Sequence, residues 1–92
     1  PLSTRDINIV LDKSIAYREV ESCIAKGSIK FLTSFSLINT FEGKDIPKGF
    51  VSMTLRVVFQ SNAKSLSESD INVSMQMTVK LLEKRLNAKI RS

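Results

Sequence analysis

The side chains able to do covalent chemistry are few in this chain. Its 92 residues include no histidine and a single cysteine, Cys23. A Cys–His or Ser–His nucleophile cannot be assembled, and neither can a zinc-ligand set. No glycine-rich phosphate loop is followed by Lys and Ser or Thr. The nine Asp and Glu are scattered and read as solvated surface. The expectation is therefore no catalytic residue, no metal site and no cofactor within this domain. What the sequence does supply is groups that hold a partner: 14 Lys and Arg leave a net charge of +5, compatible with a polyanion. One cysteine permits no intrachain disulfide and fits a reducing compartment, with Cys23 read as a small buried apolar residue.

The elements that must position these groups follow from periodicity. Residues 5–12 alternate, Ile7, Ile9 and Leu11 on one face and Asp6, Asn8 and Val10 on the other, as in a half-buried strand. Ser14 is a candidate helix cap. Ala16, Val20, Cys23 and Ile24 recur at helical spacing over 15–26, and Gly27 is expected to stop the helix in a left-handed conformation. A second strand covers 30–41. Phe31, Phe35, Leu37 and Phe41 share one parity, and Leu32 and Ile38 the other, so either both faces are partly covered or a bulge switches the register. Residues 42–49 form a turn-rich connection, too long for a tight hairpin. The clearest strand is 50–61, with Val51, Met53, Leu55, Val57 and Phe59 inward and Ser52, Thr54, Arg56, Val58 and Gln60 outward. Ser67 and Asp70 form a capping box for a long helix to about Leu86, buried along Ile71, Met75, Thr78, Val79, Leu82 and Leu86. Residues 88–91 make a short last strand.

The order β-α-β-β-α-β is the ferredoxin-like α+β arrangement: a four-stranded antiparallel sheet, two helices on one face, the other face free. Residues 1–92 read as one domain, and the start at Pro1 suggests a piece of a longer chain. With no apolar run of roughly 18 residues and no leader-like start, the chain reads as soluble and cytoplasmic. An RNA-recognition motif places outward aromatics on the third strand. Here that strand shows Ser52, Thr54 and Arg56, which disfavours it. Asp12-Lys13-Ser14 replaces the glycine usual in a small-molecule regulatory domain of the ACT type.

Five ordered fragments carry a resemblance. They are Pro1-Leu-Ser-Thr-Arg5-Asp6 before an aliphatic strand; Leu37-Ile-Asn39-Thr-Phe41-Glu-Gly43; Ile46-Pro47-Lys48-Gly49 running on to Ser52-Met53-Thr54-Leu55-Arg56; Phe59-Gln60-Ser61 followed by Ser65 to Asn72; and Ile90-Arg91. Together they resemble the ferredoxin-fold anticodon-binding domain at the C-terminus of the bacterial phenylalanyl-tRNA synthetase beta subunit. A single-chain organellar synthetase carries the same domain.

The resemblance implies a grip on the anticodon stem-loop of phenylalanine tRNA. It also implies a parent ligase that uses ATP and magnesium and is assembled with an alpha subunit as an alpha2beta2 heterotetramer. Positions 39 and 52 would face the first anticodon base, a guanine. The family's aspartate at 39 accepts two hydrogen bonds from that edge; Asn39 accepts one and loses the charge assistance. A strand-end asparagine satisfying a turn is its plainer reading. Ser52 keeps the family residue, with a solvated strand serine as the plainer reading. Phe41 replaces a tyrosine, and core packing is slightly favoured for it; Val51 replaces a lysine. Thr54, Arg56 and Asn8 share the outward face. Arg5 is a candidate RNA contact or, with Asp6, a structural pair at the sheet edge. Lys44 and Lys48 are phosphate candidates in the exposed loop, while Lys80, Lys84 and Arg85 read as a solvated helical face. The competing class is a ferredoxin-like protein-interaction or regulatory domain with no RNA role.

Overall fold

A computed structural model describes residues 2–91. The elements are β1 (Ser3–Asp12), α1 (Tyr17–Lys26), β2 (Leu32–Phe41), β3 (Phe50–Phe59), α2 (Glu68–Leu86) and β4 (Lys89–Arg91). The strands form one antiparallel sheet in the order β2-β3-β1-β4. This is the ferredoxin-like order, with the most regularly alternating strands, β1 and β3, at the centre. Pro1, the opening residue of the first family fragment, lies outside the described residues.

Alternation puts Ile7, Ile9 and Leu11 of β1 and Val51, Met53, Leu55, Val57 and Phe59 of β3 into one core with Val20, Ile24, Ile71 and Leu82 of the helices. Burying such side chains supplies about 1.5–3 kcal/mol each, which is what fastens both helices to one face. The long helix begins as its sequence predicts. The Ser67 hydroxyl accepts from the Asp70 amide at 3.1 Å, and the Asp70 carboxylate accepts from the Ser67 amide at 3.0 Å. Asn87, in the left-handed region at φ 56°, ends it. Along its buried side Ser74 was not expected. Its hydroxyl is satisfied by donating to the Lys30 carbonyl at 2.7 Å, so the helix buries it at no cost in unpaired polar groups.

The first helix departs from expectation at both ends. Ser14 does not cap it: its amide and hydroxyl both donate to the Asp12 carboxylate, at 2.9 and 2.7 Å, closing a turn before the helix. The cap position is Ala16, whose amide donates to Glu19 at 2.9 Å. Gly27 is right-handed at φ −79°. A side-chain carbon there would meet the Leu81 Cδ2 methyl of α2 and lie close to the Cys23 and Ile24 carbonyls. The left-handed turn falls instead on Ser28, at φ 52°.

The ambiguous parity of β2 resolves into register shifts between Leu32 and Ser34 and between Leu37 and Asn39. Each inserted residue flips the side chains that follow to the other face. Leu37 therefore lies opposite Leu55 over the core, while Asn39 lies opposite Thr54 and Phe41 opposite Ser52. Phe41 is not core: it stands on the free face, 45% exposed.

Candidate RNA-binding face

Directly opposed residues share a face of a sheet, so the register lays out the uncovered side as rows. One row runs Asn39, Thr54, Asn8 and Arg91 across all four strands. The next, toward the 42–49 loop, runs Phe41, Ser52, Val10 and Lys89. On the other side lies Ser36, Arg56 and Asp6. Six of the nine residues singled out from sequence thus converge: Asn39, Ser52, Thr54, Arg56, Asn8 and Phe41.

Their environments differ. The Thr54 hydroxyl donates to Asn8 Oδ1 at 2.6 Å in a half-buried position, so the two side chains present a fixed pair. Asn39 beside them is exposed and lies in the ladder rather than closing a turn. Ser52 is only 5% exposed, in the row between Phe41 and Val10, so it is not a solvated strand serine. It offers a recessed hydroxyl next to a projecting aromatic ring.

Arg56 is held by Asp6 in a two-pronged contact, Nε to Oδ1 at 2.9 Å and Nη2 to Oδ2 at 3.1 Å. Those hydrogen bonds, chiefly, hold the Asp6 carboxyl below its ordinary pKa and raise that of Arg56. The fork fixes the plane of the guanidinium and leaves its remaining N–H groups available.

Arg5 is placed elsewhere. It is the next residue after Thr4 and before Asp6, so alternation turns it to the helix side, opposite Val57. There its Nη2 donates to Glu68 of α2 at 2.9 Å. Arg5 and Asp6 do not pair with each other; the expected structural pair is instead two pairs on opposite faces. Lys44 and Lys48 are exposed in the 42–49 loop at one end of the free face. Two cations were missed, Lys89 and Arg91. The signal was available in their spacing of two about Ile90, which pairs with the inward Ile9 and so sends both to the free face.

Among the described residues, no three of the Cys, Asp and Glu side chains form a metal-sized cluster. Among the described residues, no helix is long and apolar enough to cross a membrane. A hollow of about 680 Å³ between the helices includes Arg18, Cys23, Gly27, Leu81 and Arg85, on the far side of the sheet from these rows. Cys23 is half-buried against the core rather than fully enclosed, and burial pushes its thiol pKa up while Arg85 partly opposes that. A raised thiol pKa leaves less of the nucleophilic thiolate.

Residues 1–91 match the family described as the ferredoxin-fold anticodon binding domain. The chain is also similar to phenylalanine–tRNA ligase beta subunits. It is 30% identical to that of Clostridium acetobutylicum, over 99% of this chain and 12% of the relative. It is 33% identical to that of Bacteroides thetaiotaomicron, over 99% and 11%. To the chloroplastic beta subunit of Phaeodactylum tricornutum it is 29% identical, over 99% and 13%. The chain thus spans about an eighth of the length of the curated relatives it matches. By the match of nearly its whole length, it belongs to the ferredoxin-fold anticodon-binding domain family.

Proposed function

We propose that the uncovered sheet face binds the anticodon stem-loop of phenylalanine tRNA, as a module of a phenylalanine–tRNA ligase beta subunit in the cytoplasm. The observation that carries this is the convergence of Asn39, Thr54, Asn8, Ser52, Phe41 and Arg56 on one face, within a family named for anticodon binding. Bases of a single-stranded loop are unstacked, and polar side chains on a sheet can read their edges. Asn39 projects an acceptor and a donor toward such an edge, beside the fixed Thr54–Asn8 pair. The Phe41 ring offers a stacking surface, and Arg56, Lys89 and Arg91 supply charge for phosphates. In this reading residues 1–92 are one domain of the longer ligase. Its alpha subunit completes an alpha2beta2 enzyme, and ATP and magnesium serve chemistry located in other parts of it.

Titration with a fluorescent hairpin carrying the phenylalanine anticodon loop tests the proposal. Expected is tighter binding than to the same hairpin with the first anticodon guanine replaced by adenine. Asn39→Asp, which restores a second charged acceptor, is expected to widen that preference about tenfold. Affinity equal to that for an unrelated hairpin at moderate salt would overturn the anticodon reading.

A further inference from the structure

Beyond the sheet face itself, the 42–49 loop folds into an organised platform. The Ile46 amide donates to the Gly43 carbonyl at 3.0 Å and the Phe50 amide to the Pro47 carbonyl at 3.1 Å. Ile46 is buried and anchors the loop from below. Gly49, at φ 89°, has open space where a side chain would be, so its backbone conformation alone calls for glycine. Its carbonyl accepts from the Lys13 amide at 3.0 Å, which ties the loop to the β1–α1 turn.

Between these two segments lies a cleft of about 350 Å³, toward the small end of ligand-site volumes. Lys13, Lys44 and Lys48 line it with Phe50, Glu42 and Gly43. Lys13 lies 3.9 Å from Glu42, which also lines the cleft; among the described residues Lys44 and Lys48 make no ion pair. Phe50 stands on the free face, opposite Asp12 and two residues along β3 from Ser52, and is 37% exposed. The cleft is continuous with the reading rows, because the Phe41 ring packs on Gly43 at its edge.

We propose that this cleft is a second nucleotide subsite, taking one single-stranded nucleotide next to the base read at Asn39. The phosphate sits among Lys44, Lys48 and Lys13, and the base stacks on Phe50. Uncompensated cations beside an exposed ring match that chemistry: the cations answer the phosphate, and every base has a π face. The subsite rests on the reading of the sheet face as an RNA surface. It adds affinity without discriminating among bases.

The test is amide chemical-shift mapping of the ¹⁵N-labelled chain with three probes: the anticodon-loop hairpin, tetrauridylate and tetraglutamate. The sheet rows report through residues 8, 39, 52 and 54, and the cleft through 13, 43, 48, 49 and 50. The hairpin is expected to move both sets, and tetrauridylate the cleft set. Movement of the sheet rows with a silent cleft overturns the subsite and leaves the anticodon reading standing. A responsive cleft with silent rows overturns the anticodon reading and, with it, the placement of the subsite beside a base read at Asn39, and silence in both overturns both. An equal response to tetraglutamate reduces the cleft to a general anion site and overturns the nucleotide assignment. Phe50→Ala should weaken hairpin binding about tenfold whatever the loop sequence. Should that variant not fold, Lys44→Ala with Lys48→Ala carries the test through exposed positions. The double variant is expected to lower the salt dependence by about 1.4 in log–log slope, and an unchanged slope overturns the phosphate placement.

Discussion

The two faces of β3 carry opposite chemistry on one backbone. Toward the helices, Val51, Met53, Leu55, Val57 and Phe59 are each buried, three of them with no exposure at all. Away from them, Ser52, Thr54 and Arg56 meet Phe41, Asn39, Asn8 and Asp6 across the ladder. The first set has one task, removing apolar surface from water. The second contributes little burial, and its side chains answer to one another through hydrogen bonds and charge. On the proposed reading, stability and recognition reside on separate sides of the same strand, and substitutions on one side should leave the other readout nearly untouched.

The largest expected effect is on the core side. Leu55 is fully buried between the central strands and the helices. Leu55→Ala should cost about 2–5 kcal/mol by urea denaturation, a large share of the about 5–15 kcal/mol available to a typical domain. Hairpin affinity per folded molecule should hold. A cost below about 1 kcal/mol, or an affinity loss that persists after correction for folding, would break the separation of the faces.

A smaller effect is expected from Thr54→Val, which keeps the volume and removes the hydroxyl that donates to Asn8. One hydrogen bond is worth about 0.5–1.5 kcal/mol of stability, and water can reach the freed Asn8 oxygen, so the low end is expected. Hairpin binding should fall more, because the Asn8 amide loses its fixed orientation. A double-mutant cycle with Asn8→Ala isolates the pair: its coupling should appear in both stability and binding. Coupling in stability alone would make the pair structural and sharpen the comparison against recognition.

These contrasts also show what could be read from the sequence. The alternation of β1 and β3 and the reciprocal cap of Ser67 and Asp70 were legible because each is a local pattern with one structural solution. Phe41 was placed less well. One register shift, between Leu37 and Asn39, separates Phe41 from Phe35, and nothing in residues 32–41 marks where a bulge falls, so parity counted from Phe35 puts Phe41 on the wrong face. Gly27 has the composition of a left-handed stop, but it stays right-handed against Leu81, a contact 54 positions away in sequence, and the left-handed turn passes to Ser28. Arg5 and Asp6 looked like a pair because they are neighbours; alternation separates them, and each finds a partner from a distant element. Long-range geometry decided each of these.

The smallest effect concerns the Asp6–Arg56 pair, where both groups are exposed and screened by salt. Folding lowers the Asp6 pKa, chiefly through the hydrogen bonds from Arg56, with the guanidinium charge adding to it and partial desolvation opposing. Asp12 and Asp70 are lowered in the same sense, by Ser14 and by the Ser67 cap with Lys64. A carboxyl whose folded pKa lies below its unfolded value favours the folded state while ionised. Its stabilisation is full above the ordinary aspartate range, about pH 4, and is lost as pH falls through the lowered folded value. The chain has no histidine to titrate near neutrality. The urea midpoint should therefore be level from pH 8 to about 5 and decline below about 4. Asp6→Asn should flatten part of that decline and lower the midpoint near neutral pH by the same small amount. On the recognition side the same variant unmasks the Arg56 charge, so hairpin affinity should rise at low salt and the salt slope steepen. An unchanged slope would place Arg56 away from any phosphate and confine the pair to the sheet, an electrostatic contact on the recognition face with no part in recognition.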